Sequence, residues 1–205
     1  MVVFNDLLNS FILMWSVIDP IGTVPVFLAV TKKYDSSEKR RIAKLASISA
    51  FAILLFFFIV GEVLLRRAGV PISAFQISGG VILFMFAINM IFGSSKPEEE
   101  IQLVKNGNDT AIFPLAIPSI AGPGAILAMV LLNDGGGISF AKQGVTIIVL
   151  IIILLINYMM MHFSDSIQKR IGDSGAIVIS KIMGLILASI AANNVLLGIK
   201  VFFKI

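Results

Sequence analysis

The chain has 205 residues, of which 58% are hydrophobic and only 14% are charged, and its mean hydropathy is +0.99. Soluble domains are about one quarter charged, so this composition excludes a soluble enzyme or binding module and predicts an integral membrane protein. The net charge of +4 comes from lysine and arginine in short loops, and it does not indicate nucleic-acid binding. The absence of cysteine excludes disulfides, thiolate chemistry and cysteine-ligated metals.

Six apolar runs follow one another along the chain, each long enough to cross a bilayer, which takes about 20 apolar residues. The first runs from about Phe4 to Thr31 and leads into a basic loop, where Ser36 or Ser37 is expected to cap the next helix. The other predicted spans are Leu45–Leu65, Ile72–Phe92, Ala111–Asn133, Gly144–Met161 and Ala176–Val201.

A polar connection divides the six spans into two halves of three, and a further loop is expected over residues 164–175. We expect a single transmembrane domain over residues 1–205, with one repeat over about 1–94, a linker over about 95–110 and a second repeat over about 111–205. Because each half has an odd number of spans, the second half inserts in the opposite direction to the first. The predicted fold is an all-α membrane protein with six transmembrane segments in two inverted three-helix repeats.

The first and fourth spans are interrupted by the same pattern: a proline, four residues and a second proline. The two stretches are Asp19-Pro20-Ile21-Gly22-Thr23-Val24-Pro25 and Pro118-Ser119-Ile120-Ala121-Gly122-Pro123-Gly124. Proline removes a backbone donor and disfavours a helical conformation in the preceding residue, so both helices should break. When Pro20 is aligned with Pro118, Pro25 falls on Pro123. Interrupted spans at matching positions of two halves point to the binding site of a transporter.

The last span of each half carries a glycine and an asparagine at the same spacing, Gly80 and Asn89 in the third span and Gly184 and Asn193 in the sixth. The glycines are expected to let the third and sixth helices pack closely against the broken spans. The asparagines have two interpretations, since an intramembrane amide either contacts substrate or hydrogen-bonds a neighbouring helix.

The two breaks and the two asparagines form the candidate substrate-binding set. Its members are Asp19, Pro20, Gly22, Thr23, Pro25, Pro118, Ser119, Gly122, Pro123, Gly124, Asn89 and Asn193. Helices that restart after a break would direct free N–H groups and a positive dipole end into the interior. Thr23 and Ser119 have a second interpretation, in which their hydroxyls bond only to helix carbonyls.

Asp19 is the candidate residue for binding a coupling ion. It has a structural interpretation as well, because an aspartate followed by proline is a common helix N-cap. A charge near the middle of a membrane costs about 2.5–3.5 kcal/mol on insertion scales, which favours a functional role over a merely structural one.

Basic residues are unevenly distributed between the two sides of the predicted topology. With the N-terminus outside, the inner side holds eleven of them and the outer side holds five. The inner set is Lys32, Lys33, Lys39, Arg40, Arg41, Lys44, Lys96, Lys105, Lys169, Arg170 and Lys181; the outer set is Arg66, Arg67, Lys142, Lys200 and Lys204. The positive-inside rule therefore predicts a multi-pass protein of the cytoplasmic membrane with both termini outside.

The two proline motifs resemble those of the MarC family, also called the neutral amino-acid transporter family. The resemblance rests on Asp-Pro-Ile-Gly-Thr-Val-Pro-Val-Phe-Leu from Asp19, on Ile-Pro-Ser-Ile-Ala-Gly-Pro-Gly-Ala-Ile from Ile117, and on the glycine-bearing third and sixth spans. It covers nearly the whole chain and implies six spans and transport of small neutral amino acids such as glycine and alanine. Transport would alternate access to a midplane site between the two broken helices, with H+ or Na+ as the candidate coupling ion. The expected partners are thus the amino acid, the ion, the lipid bilayer and a second copy of this small protein.

Other function classes are less well supported by the residues. An intramembrane enzyme is disfavoured because the chain has no His-Glu-x-x-His motif, no paired mid-membrane aspartates and no serine with a histidine base. We therefore expect no catalytic residue, metal or cofactor. A channel or a non-transporting membrane subunit would share the broken helices, and an exporter of drugs or other metabolites is the nearest alternative within the transporter class.

Overall fold

The computed structural model describes residues 2–93, 107–133 and 140–204, and these residues are almost entirely helical. In chain order the elements are α1 (Val2–Ile18), α2 (Pro20–Thr31), α3 (Ser36–Arg67), α4 (Ile72–Phe92), α5 (Gly107–Thr110), a distorted segment (Ala111–Ile120), α6 (Pro123–Leu132), α7 (Phe140–His162) and α8 (Ser164–Phe203).

Among the described residues, five stretches are long and apolar enough to cross a membrane, and the distorted segment with α6 makes a sixth if the pair is counted as one span. The prediction of an all-α protein with several membrane-spanning helices is confirmed. Of the predicted linker, only residues 107–110 lie within the described part of the chain, where they form α5.

Two predicted boundaries were wrong. The N-cap of α3 is Asp35 and not Ser36 or Ser37, because the Asp35 carboxylate accepts a hydrogen bond from the Glu38 N–H at 2.8 Å. Aspartate caps a helix as well as serine does, and it comes first here. Residues 164–175 are not a loop: they are helical except at Gly172 (φ 69°, ψ 169°), where α8 is kinked. The residues before this glycine include no helix breaker, so a helix can form there.

α4 and α8 pack against each other, and glycines bring their backbones close together. A Cβ atom on Gly80 would lie 3.0 Å from the carbonyl oxygen of Ala191, and one on Gly184 would lie 3.2 Å from that of Ala87. Residue numbers rise along one helix as they fall along the other, so the two helices are antiparallel. The sequence predicted packing of these glycines against the broken spans, whereas Gly80 and Gly184 pack α4 and α8 against each other.

The two contacts have the same spacing in sequence. Gly184 follows Gly80 by 104 residues, and Ala191 follows Ala87 by 104 residues. Among the other described helices, α3 packs on α6, α7 and the distorted segment, and α7 also packs on α1 and α2.

The broken spans lie in the interior of the bundle. In the first broken span 56% of the most apolar stretch is buried, against 22–39% in the four unbroken spans. The distorted segment is also interior, since Leu115, Ala116 and Ile120 are fully buried. The outer faces of α4 and α8 carry large exposed apolar side chains such as Met85 and Leu196, as expected of lipid-facing helices.

Candidate functional site

The first break is a single residue, Asp19, between α1 and α2. Asp19 adopts a left-handed backbone conformation (φ 46°, ψ 71°), and its Oδ1 accepts a hydrogen bond from the Gly22 N–H at 3.0 Å. Pro20 is the first residue of α2, a position where a helix needs no N–H group. Asp19 therefore caps α2, and the helix continues through Pro25 without a second break.

Asp19 is only 3% exposed. The left-handed conformation costs about 1–2 kcal/mol for a residue with a Cβ atom, although aspartate tolerates it better than most. Residues with strained backbone conformations concentrate at functional sites. Thr23, which is also buried, donates its hydroxyl to the Asp19 carbonyl oxygen at 3.1 Å, in agreement with the backbone-bonding interpretation of that residue.

The second break is longer and more irregular. Within the distorted segment, Phe113 and Ile117 are extended, with φ near −128° and ψ near 128° in both. Each precedes a proline, and a proline pushes the preceding residue out of the helical region. The backbone then turns at Ala121 and Gly122, and α6 leaves at 58° to the distorted segment.

The two regular helices do not start at the same proline of the two motifs. α2 begins at Pro20, the first proline of its motif, whereas α6 begins at Pro123, the second proline of its motif. Pro118 lies inside the distorted segment and starts no regular helix. Pro123 follows Pro20 by 103 residues, which nearly equals the 104-residue spacing of the glycine contacts between α4 and α8.

The start of α6 is buried and has no side-chain cap. Its N-cap is Gly122, and a Cβ atom there would lie 2.6 Å from the carbonyl oxygen of Pro118. The first bond of the helix runs from the Ile126 N–H to the Gly122 carbonyl oxygen, so the N–H groups of Gly124 and Ala125 have no partner within the helix. Gly122, Gly124 and Ala125 are buried, and Pro123 between them is exposed.

The two breaks meet in space. A Cβ atom on Gly124 would lie 3.8 Å from Cγ1 of Val17, which is two residues before Asp19. On its other side this glycine faces Leu83 of α4, at 2.8 Å. Val17 and Leu83 are parts of the site that the sequence did not indicate, because an apolar residue within an apolar run carries no separate signal.

Ser119 lies just before the second break and is 4% exposed. Its hydroxyl has no hydrogen-bond partner among the described residues, so the expected bond to a helix carbonyl is not found there. A buried hydroxyl can donate one hydrogen bond and accept others, so Ser119 offers both functions beside the start of α6.

Asn89 and Asn193 lie apart from the buried residues of the two breaks. Both are exposed on the surface of the chain. Each follows its packing glycine by nine residues, which at about 100° per residue places the asparagine on the opposite face of its helix. Since Gly80 and Gly184 face inward, both amides face outward.

The described residues offer no group of three metal-ligating side chains. The two breaks provide one buried carboxyl group, one buried hydroxyl without a described partner, and the N-terminus of α6. Such an arrangement can bind a small ligand that carries both a negative and a positive group.

The chain is similar to proteins from archaea and bacteria over nearly its whole length. The profile described as "MarC family integral membrane protein" matches residues 4–203. A UPF0056 membrane protein of Methanocaldococcus jannaschii is 34% identical over 195 residues, which cover 93% of this chain and 94% of its own. The UPF0056 membrane protein YvbG of Bacillus subtilis is 30% identical over 207 residues, or 98% of both chains. A Pyrococcus horikoshii UPF0056 membrane protein is 35% identical over 196 residues, or 94% and 93%.

No solved structure matches the chain. The match to the family profile and the identity to these relatives extend over both broken spans and both halves of the bundle. The chain therefore belongs to the MarC family of integral membrane proteins.

Proposed function

We propose that this protein is a transporter of small neutral amino acids, of the size of glycine and alanine, that works by alternating access. The observation that carries the proposal is the meeting of two buried helix breaks, where Gly124 contacts Val17 two residues from Asp19. Irregular backbone at membrane depth is tolerated only where it faces protein or a water-filled cavity, and transporters place their substrate at such breaks.

The two helix starts suit the two ends of a zwitterion. The start of α2 already has a negative group, because the Asp19 carboxylate accepts the Gly22 N–H. The start of α6 has only Gly122 as its cap, so its N–H groups and positive dipole end remain for the carboxylate of a substrate. In this arrangement Asp19 faces the ammonium group or exchanges the coupling proton, and Ser119 supplies a further hydrogen bond.

Glycine at the second break limits the size of the substrate. Gly122 and Gly124 let the backbone approach a ligand closely, and Leu83 and Val17 pack directly against Gly124. A site with such narrow walls favours substrates with a hydrogen or methyl side chain. The same walls disfavour large drugs.

The proposed movement is a rocking of one repeat against the other. Its support is the spacing of 103 to 104 residues, which relates Pro20 to Pro123 and the two glycine contacts of α4 and α8 to each other. Antiparallel α4 and α8 are what inverted repeats require, since equivalent spans must cross the membrane in opposite directions.

We also propose the orientation with both termini outside. The connections between the first and second, third and fourth, and fifth and sixth spans lie on one side of the bundle. Two contacts join their ends: Lys39 pairs with Asp165 at 3.6 Å, and the Tyr34 hydroxyl lies 3.2 Å from that of Thr110. This side carries the larger number of lysine and arginine residues, and the positive-inside rule makes it the cytoplasmic side.

The test is uptake of labelled glycine and alanine by the purified protein in liposomes, with a proton or sodium gradient imposed in turn. The proposal predicts saturable flux that one of the gradients accelerates, and no saturable flux into protein-free liposomes. Flux that rises linearly with concentration would indicate a channel. No flux of either amino acid under any gradient would refute the proposed substrate.

A further inference from the structure

Among the described residues, the interior of the bundle contains one amide without a hydrogen-bond partner, in the side chain of Asn157 in α7. This residue is 0% exposed, and neither its Oδ1 nor its Nδ2 has a hydrogen-bond partner among the described residues. An asparagine side chain offers two donors and one acceptor oxygen. Native proteins almost always pair such groups, because a buried amide without a partner is destabilising.

Asn157 lies on the buried face of α7, in line with Leu150, Leu154 and Met161. Helix α7 packs against both α1 and α2, so it runs alongside the first break, which lies between them. The equivalent position in the first half, 104 residues earlier, is the apolar Ile53. The amide is therefore not part of the framework that the two halves share.

We infer that Asn157 is a second polar site beside the first break, and that it binds a small guest presenting both a hydrogen-bond donor and an acceptor. Water and the charged ends of a zwitterionic amino acid share this chemistry. In either case the guest accepts from Nδ2 and donates to Oδ1, and it satisfies the amide that the protein leaves unpaired. Only the zwitterion source rests on the proposed function; hydration of the site does not.

The chain has no cysteine, so Asn157→Cys places one thiol at the site in an otherwise intact protein. The probe is a small, charged, water-soluble methanethiosulfonate applied to the protein in liposomes. Leu54→Cys is the matched control, because Leu54 is also 0% exposed but lies in α3 on an apolar face. We expect the thiol at 157 to react about tenfold or more faster than the thiol at 54, since thiols sealed in an apolar core are inert.

Equal, slow reaction at positions 157 and 54 would overturn the inference. Where the thiol at 157 does react, repeating the experiment with millimolar glycine or alanine identifies the source. Slower modification shows that the zwitterion occupies the site, and an unchanged rate shows water alone. A reactive thiol in a protein that transports neither amino acid would refute the proposed function but keep the hydrated site.

A second variant tests whether the amide has a purely structural role. Asn157→Leu has nearly the same volume and no polar group, so it should fold and unfold at the same temperature as the native protein or a higher one. If the leucine variant instead unfolds at a markedly lower temperature, the amide is a structural hydrogen-bonding group within the protein, and the inference fails.

Discussion

Replacing Asp19 by asparagine and by alanine separates the charge of this residue from its role as a helix cap. Asparagine keeps an oxygen that can accept the Gly22 N–H, and it tolerates the left-handed conformation that Asp19 adopts. Alanine provides neither. Any property shared by aspartate and asparagine but lost in alanine belongs to the cap, and any property lost in both variants belongs to the charge.

The structure gives the expected sizes of these effects on stability. Loss of an N-cap side chain costs about 1 kcal/mol, and a residue with a Cβ atom at φ 46° pays about 1–2 kcal/mol that aspartate and asparagine partly avoid. Asp19→Ala should therefore lower the free energy of unfolding by about 2 kcal/mol. Asp19→Asn should change it by less than about 0.5 kcal/mol, since the cap and the backbone preference both remain.

Transport should be more sensitive than stability to Asp19→Asn, because removal of the charge alone is expected to abolish the effect of the gradient on uptake. The assay is gradient-driven uptake of glycine in liposomes, with thermal unfolding of each variant in detergent as the control for folding. A well-folded Asp19→Asn protein with unchanged gradient-driven uptake would refute the coupling role and reduce Asp19 to a cap. Loss of uptake in the alanine variant alone would lead to the same conclusion.

Gly122→Val should still insert but lose transport, with a lower unfolding temperature, because its Cβ atom would lie 2.6 Å from the Pro118 carbonyl oxygen and the backbone of the break must shift; a fully active variant would contradict this. Gly80→Val should lower the unfolding temperature by separating α4 from α8, at a cost of about 1–3 kcal/mol, whereas Gly144→Val should not, because no atom lies within 4 Å of a Cβ there. Equal unfolding temperatures for these two variants would refute the packing argument. Ser119→Ala should keep or gain stability, since its hydroxyl has no described partner, but should raise KM for glycine; an unchanged KM would remove Ser119 from the site.

The sequence predicted those features of the architecture that depend on interactions between residues close together in the chain. The third span was predicted and observed over the same residues, Ile72–Phe92, because turn residues border a continuous apolar run. The breaks were predicted from proline for the same reason: a missing N–H and a steric conflict act on immediate neighbours. Asp19 at the N-cap of α2 is local chemistry as well.

The parts that depend on packing could not be predicted in this way. Two prolines in each motif gave two acceptable alignments, and the sequence does not determine that the regular helix restarts at Pro20 in one half and at Pro123 in the other. Asn89 and Asn193 were placed in the site because an amide in a membrane span suggests function, yet their faces point away from the interior. Asn157 gave no signal within its aliphatic run, and only its burial without a partner distinguishes it.

Alternating access around the two breaks is tested most directly by counterflow. Liposomes containing the protein are loaded with unlabelled glycine and diluted into a trace of labelled glycine, with no ion gradient present. A carrier exchanges one molecule for another, so labelled glycine should accumulate transiently above its equilibrium level, and Gly122→Val should abolish this overshoot. Labelled glycine that only equilibrates, with no overshoot at any time, would contradict the alternating-access mechanism.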